Sequence, residues 1–167
     1  MSYENHQTVS ITNEKFLPYG SIADITNPWG YYSMGEAPSV FHSDIVIVPN
    51  VDPAPAAFGS LRVDKHPHIM EYVKYNTYAC EIMMPLDDDM IMYAGPASND
   101  AIELDKLEAF FVPKGTLVVF RAYTWYGAPY PVHNEQGAVL ICLPKRTYLN
   151  NTKKCFLEKD DFVEITL

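Results

Sequence analysis

Apolar residues along this chain fall into short runs separated by proline, glycine, asparagine or aspartate. The runs are rich in β-branched and aromatic residues and comprise DIVIV at 44–48, YACEIMM at 78–84, MIMYA at 90–94, AFFV at 109–112, TLVVFRAY at 116–123 and AVLICL at 138–143. Runs of about four to eight such residues between turn signals predict strands rather than helices. Many short strands are typical of a sandwich or barrel, so we predict an all-β jelly roll.

Helix and turn signals are few. Thirteen prolines leave little room for a long helix, and the best helical candidate is short, at 12–17, with Thr12 or Asn13 as its cap. We therefore expect at most two short helices. Pro113-Lys114-Gly115 predicts a tight turn between paired strands, and the three aspartates at 87–89 predict a solvated turn.

Length and charge narrow the classes of function. A chain of 167 residues fits one domain, here predicted as 1–167, and buries roughly 70% of its unfolded surface. A net charge of −9 opposes binding to nucleic acid, which needs lysine and arginine against phosphates, and to anionic membranes. A small anionic substrate remains compatible with this charge if a few cations gather in the pocket.

The termini and cysteines favour a cytoplasmic protein. The first ten residues lack the basic and apolar regions of a secretory signal. No apolar run approaches the 18 or so residues of a membrane helix. Cys80, Cys142 and Cys155 form no short-spaced pair, so we expect them to be reduced and buried.

The cluster at 66–71 offers metal-ligand chemistry. His66 and His68 alternate, and alternating residues of a strand share one face. Two imidazoles with the Glu71 carboxylate suit a first-row divalent metal. The alternative is a site that works without metal.

Charged residues also interrupt apolar runs. A buried carboxylate is costly unless paired, so Glu81 in its run either faces solvent or has a partner inside, for which Arg121 is one candidate. Trp125 and Tyr126 either line a ligand mouth or belong to the core. A glutamate with a pKa near neutrality could act as a base, and a nearby cation could bind a substrate carboxylate. Together, such groups would form a site for acid–base chemistry.

Two features resemble the cupin superfamily. HPH at 66–68 is similar to the H-x-H of the first cupin motif, and PKG at 113–115 is similar to the P-x-G of the second. The resemblance implies the cupin-type double-stranded β-helix, a jelly-roll barrel that often holds a metal or small ligand.

A longer set of motifs resembles the ureidoglycolate lyase family, formerly ureidoglycolate hydrolase, which is built on the cupin barrel. FLPYG at 16–20 resembles the family's F-x-x-Y-G, KHP at 65–67 its R-H-P, and EIMMPL at 81–86 its Q-x-F-x-P-[LM]. VPKGTLVVFRAYTWYGAP at 112–129 resembles its glycine turn, apolar strand and W-H-x-P. The motifs keep the family's order.

The resemblance implies a carbon–nitrogen lyase that releases urea and glyoxylate from ureidoglycolate, a step of allantoin catabolism, and a homodimer, with which the surplus of apolar and aromatic residues is consistent. From strand geometry we predict that the catalytic and substrate-binding side chains face one interior cavity that opens past Trp125. The catalytic residues would be His66, His68 and Glu81, and the carboxylate substrate would contact Lys65, Arg121, Trp125 and Tyr126.

One departure keeps a second class of function open. Where the family has histidine after tryptophan, this chain has Tyr126. A cupin that has lost this histidine would bind a small polar acid or sugar, with or without a metal, and would not act on it.

Overall fold

The computed structural model describes residues 4–28, 30–49, 53–98 and 101–167. The strands are β1 (Glu4–Ser10), β2 (Gly20–Asp24), β3 (Ser33–Met34), β4 (Phe41–His42), β5 (Ala56–Asp64), β6 (Ile69–Met70), β7 (Tyr72–Asn76), β8 (Glu81–Pro85), β9 (Met90–Gly95), β10 (Glu108–Val112), β11 (Thr116–Phe120), β12 (Trp125–Tyr126), β13 (Tyr130–Pro131), β14 (Gln136–Pro144), β15 (Thr152–Phe156) and β16 (Val163–Thr166). The helices are α1 (Asn13–Phe16), α2 (Thr147–Asn150) and two single 3₁₀ turns, Leu104–Lys106 and Lys159–Asp161.

Two curled sheets contain most of these strands. The larger has nine strands in the order β15-β7-β12-β9-β10-β1-β16-β6, with β13 beside β9. The smaller has five strands in the order β2-β11-β8-β14-β5. The chain repeatedly changes sheet, from β7 to β8, from β8 to β9 and from β10 to β11. Two curled sheets joined in this way form a cupin-type jelly roll, so the all-β prediction with at most two short α-helices is confirmed.

The space between the sheets holds the main core. On β9, Met90, Met92 and Ala94 belong to this core, whereas Ile91 and Tyr93 belong to a second apolar cluster. Because successive strand residues point to opposite faces, the second cluster covers the outer face of the larger sheet. Both faces of that sheet are therefore buried along β9, which explains its uninterrupted apolar run.

The predicted helix near residue 12 is confirmed. Thr12 is extended, and its hydroxyl accepts a hydrogen bond from the Lys15 backbone N–H at 3.2 Å. This bond satisfies one of the donors that a helix start leaves unpaired. The helix packs Phe16 into the main core.

The turn at Pro113-Lys114-Gly115 is confirmed, but the strands that it joins are not paired. The Thr116 N–H donates to the Pro113 carbonyl at 3.1 Å, and Gly115 has a φ of +82°, which favours glycine. β10 pairs with β9 and β1, whereas β11 pairs with β2 and β8. The turn therefore carries the chain from one sheet to the other, which local spacing does not reveal.

One other local prediction is wrong, and another is correct only in part. The run at 44–48 forms no strand and lies in the segment between β4 and β5. The aspartates at 87–89 do form a turn, but it is tied down rather than solvated. Asp88 is buried, and its carboxylate accepts from the N–H groups of His133 and Asn134 at 3.0 and 2.9 Å.

Cys80, Cys142 and Cys155 are not joined in a disulfide. Cys80 and Cys142 are buried as expected, but Cys155 is exposed on β15. In the part of the chain that the structure describes, the helices are too short or too polar to span a bilayer.

Candidate functional site: a charged pair inside the barrel

A carboxylate lies inside the barrel. Glu81 begins β8, opposite Phe120 of β11, and Met83 follows it by two residues on the same face. Phe120 and Met83 both belong to the core between the sheets, so the Glu81 side chain points inward. Only 2% of Glu81 is exposed. The alternative that this residue faces solvent is therefore wrong.

Three side chains compensate the carboxylate. The Lys74 ammonium lies 3.3 Å from Oε1 and 3.2 Å from Oε2 of Glu81. The Asn76 amide donates to Oε2 at 3.3 Å, and the Tyr126 hydroxyl donates a short hydrogen bond to the same oxygen. A buried charge with an opposite charge and several hydrogen bonds avoids most of the penalty of desolvation.

Strand alternation brings these partners together. Along β7, Val73 and Tyr75 belong to the outer cluster, so Lys74 and Asn76 point inward. β12 is antiparallel to β7, with Tyr126 directly opposite Lys74. The larger sheet thus places an ammonium, an amide and a phenol opposite the carboxylate of the smaller sheet.

A chain of hydrogen bonds orients the phenol. The Thr152 hydroxyl donates to the Asn76 Oδ1 at 2.6 Å, and the Asn76 Nδ2 donates to the Tyr126 oxygen at 2.7 Å. Because its oxygen accepts from Asn76, the Tyr126 O–H is directed at Glu81. Burial, followed by the Glu81 charge, raises the pKa of Tyr126 well above its usual value. The phenol is therefore a neutral donor at neutral pH.

The pair borders a cavity of about 350 Å³ that opens to solvent past the exposed residues Gly59, Ser60 and Tyr148. Its wall is formed by β5, β14, helix α2 and the pair, through Gly59, Ser60, Leu61, Lys74, Glu81, Ile141, Leu143 and Tyr148. This volume is at the lower end of small-molecule pockets. Lys74 and Glu81 are the charged side chains of this lining, and hydroxyls come from Ser60 and Tyr148.

The predicted histidines lie elsewhere. His66 and His68 occupy the loop between β5 and β6 rather than a strand, so the prediction that strand alternation gives them a common inward face is wrong. Both rings pack on Tyr130, with centroid distances of 5.0 and 5.2 Å. Tyr130 belongs to the outer cluster. Burial, followed by the positive neighbours His66 and Lys65, lowers the pKa of His68.

A second cavity of about 290 Å³ lies beside the histidine loop, outside the barrel. Its lining consists of His66, Pro67, Ile69, Glu71, Tyr72, Tyr93, Ala128 and Tyr130. His66 and Glu71 thus share a cavity, but neither lines the cavity that contains Glu81. The expected single site for the histidines and Glu81 is replaced by two separate regions.

The residues that the structure describes do not fit a metal ion. No three histidine, cysteine, aspartate or glutamate side chains among them lie close enough to hold one, so His66, His68 and Glu71 form no ligand set. The described lining of the barrel cavity contains one carboxylate and no imidazole or thiolate. The Lys74 ammonium already occupies the side of that carboxylate where a cation would bind.

One of the four predicted substrate contacts lies inside the barrel, and the other three lie outside it. Tyr126 lies inside as expected, but Arg121 is exposed beyond the end of β11 and donates to the Gly20 carbonyl at 3.5 Å instead of pairing with Glu81. Lys65 is exposed and reaches the Val132 carbonyl at 3.5 Å. Trp125 packs edge-on against Tyr75 in the outer cluster, so the cavity does not open past it.

Sequence reasoning missed Lys74, Asn76 and Thr152. The segment YVKYN at 72–76 carries a usable signal, because lysine and asparagine alternate with valine and tyrosine at strand spacing. That alternation identifies the polar face of a strand. It does not identify Glu81 as the partner, which depends on how the two sheets face each other.

The fold and this site define a cupin-type jelly roll with a charged pair inside its barrel. No family model matches the chain, and no curated protein matches it. Among solved structures, the chain is similar to a dTDP sugar isomerase from Desulfovibrio desulfuricans, with a TM-score of 0.48, 8% identity, and coverage of 85% of this chain and 88% of that one.

Two further likenesses involve longer proteins. Oxalate decarboxylase from Bacillus subtilis has a TM-score of 0.41 and 15% identity, with 83% of this chain covered. The vicilin of Solanum melongena has a TM-score of 0.42 and 13% identity, with 61% covered. The matched regions span 28% of the decarboxylase chain and 26% of the vicilin chain.

Proposed function

We propose that the protein binds a small carboxylate inside its barrel and transfers a proton on it, with Glu81 as the acid–base group and Lys74 as the anion-binding cation. One observation carries this proposal: a charged pair on the inner wall of a cavity large enough for a small metabolite. A charge pair in a core is weak evidence for stability, since apolar residues of similar volume often serve as well. The position of this pair beside a cavity favours a role of the pair in function.

The pair leaves capacity for a ligand. An ammonium has three donors, and contacts to the two oxygens of Glu81 use two of them. Lys74 is also 23% exposed, in contrast to Glu81. An anionic group entering the cavity would meet the free N–H of Lys74 first, with Glu81 directly behind it.

The specific reaction that we propose is the cleavage of ureidoglycolate to urea and glyoxylate. The substrate carboxylate binds Lys74, and Glu81 takes the proton of the substrate hydroxyl. The C–N bond breaks as the carbonyl of glyoxylate forms, and Glu81 returns the proton to the departing urea nitrogen. The reaction consumes no net proton, so one carboxylate suffices. The motif resemblance supports the choice of substrate, and the pair supports the chemistry.

A second candidate, a binding protein without catalysis, is favoured by a different observation. Glu81 accepts hydrogen bonds from Lys74, Asn76 and Tyr126, all of them groups of the protein itself. A carboxylate whose oxygens already accept these hydrogen bonds has little room to accept one from a substrate hydroxyl until one donor moves away. The loss of the family histidine at Tyr126 supports the same alternative.

Glyoxylate release from ureidoglycolate by purified protein, corrected for spontaneous decay, tests the proposal. We expect release by the wild type and a loss of at least about 100-fold in Glu81→Gln. His66→Gln is the matched control, because it removes a titratable group from the outer region, and we expect it to retain activity. Calorimetric binding of ureidoglycolate without release would favour the binding protein, and neither binding nor release would exclude this substrate.

A further inference from the structure

The segment 30–49, here called the arm, is distinct from the rest of the chain. It connects β2 with the segment that leads to β5, and its regular structure is one hairpin of two-residue strands, β3 and β4. Ser33 lies opposite His42, and Met34 lies opposite Phe41. Among the described strands, these two pair only with each other. A two-stranded hairpin of this size is marginal in water unless something packs against it.

The arm exposes large apolar side chains. Five of them are between 45% and 79% exposed, namely Tyr32, Met34, Val40, Phe41 and Ile47. Met34 and Phe41 are directly paired across the hairpin, so their side chains lie on the same face. Single exposed apolar residues are ordinary on a protein surface, but several of them on one short segment, two of them directly paired, favour an interaction surface.

The area of this surface is close to that of a dimer interface. At roughly 200 Å² for each large residue, a value on the scale of an aromatic side chain, the five exposed fractions amount to roughly 600 Å² of accessible surface per copy. A standard interface buries about 800 Å² per partner. The arm therefore accounts for most of the surface that one side of a stable dimer needs.

The charge of the arm also permits self-association. The chain carries a net charge of −9, which makes two copies repel each other. Within residues 30–49 the charged side chains are Glu36 and Asp44 alone. Two arms can therefore meet with little of the repulsion that other surfaces of this acidic chain would produce.

We propose that the arm is the interface of a homodimer in which the arm of one copy packs against the arm of a second copy. A two-fold axis brings the same patch of both copies together, so one apolar face covers the other. The free edges of β3 and β4 become available for pairing between copies, which removes an exposed edge from each.

Sedimentation velocity across about 0.1 to 50 μM, a range around typical dimer affinities, tests this proposal. We expect a wild-type dimer and a dissociation constant raised at least about 100-fold in Phe41→Ser/Ile47→Ser, because each substitution removes a buried apolar side chain from both halves of the interface. Leu149→Ser/Phe156→Ser is the matched control, since both residues are equally exposed but lie outside the arm. The control should remain a dimer.

A wild type that sediments as a monomer throughout this range would overturn the proposal, as would equal weakening by the arm and control pairs. Hydrogen exchange of the unmodified protein provides a second readout. Amides of the arm should gain protection as concentration rises, whereas those of β15 should not. Protection of the arm that is independent of concentration would also contradict the proposal.

Discussion

The barrel interior and the histidine loop contain the same kinds of residue in opposite physical situations. Inside, Glu81 is 2% exposed and has three polar partners. Outside, His66 is exposed and contacts the Tyr130 ring. Lys74, Asn76 and Tyr126 compensate the interior charge, whereas the exposed imidazole has the Asp64 carbonyl and solvent as polar neighbours. Burial and polar partners, rather than residue type, therefore distinguish a candidate site from a surface cluster.

The largest expected effect on stability follows removal of the interior cation. Lys74→Met leaves Glu81 buried without an opposite charge and should lower the free energy of unfolding by about 2 kcal/mol, less than for a fully buried pair because Lys74 is partly exposed. Lys153→Met is the matched control on exposed β15 and should change stability by less than about 0.5 kcal/mol. Urea denaturation measures both. An equal loss of stability in the two variants would show that the ion pair of Lys74 and Glu81 does not stabilise the fold.

Two buried tyrosine hydroxyls, one in each region, have acceptors of different charge. Tyr126 donates to the Glu81 carboxylate, and Tyr130 donates to the Ile69 carbonyl at 3.0 Å. Hydrogen bonds to charged groups contribute about 1.5–3 kcal/mol and those between neutral groups about 0.5–1.5 kcal/mol. Tyr126→Phe should therefore destabilise the protein more than Tyr130→Phe in thermal or urea unfolding. The reverse order would contradict the description of the interior as the charged region.

A smaller effect concerns pH and the outer region. Because the folded-state pKa of His68 is lowered, mainly by burial, the unfolded chain binds a proton that the folded chain resists. The contribution of His68 is therefore present above its usual pKa of about 6.5 and is lost as pH falls from there toward the lowered value. His68→Gln should reduce the loss of stability between about pH 7.5 and about pH 5. An unchanged pH dependence would show that His68 charges freely in the fold.

The local sequence pattern was sufficient to predict much of the fold. Short β-rich runs predicted an all-β chain, and the helix capped by Thr12 was found from capping preference. The strand predicted at 44–48 does not form, because a β-rich composition does not by itself provide a neighbouring strand to pair with. Gly115 shows the same limit, since its turn was predicted correctly but the strands that it joins belong to different sheets.

The candidate site was predictable only in part. Glu81 and Tyr126 stood out from their sequence contexts, and both lie inside. The histidines were misplaced because H-x-H spacing indicates a common face only on a strand, and Pro67 lies in a loop. Lys74 was missed because its role depends on the pairing of β7 with β12 and on the approach of β8 from the other sheet. No local spacing contains that information.

A binding site inside the barrel can be tested by locating where a small carboxylate binds. Glyoxylate, the proposed product, can be titrated into isotopically labelled protein while backbone and histidine ring resonances are followed by NMR. Binding inside the barrel predicts saturable shifts at Lys74, Glu81 and Tyr126, with the His66 and His68 rings unchanged. Shifts confined to those two rings, with the interior resonances unmoved, would contradict the account and place the site on the outer loop.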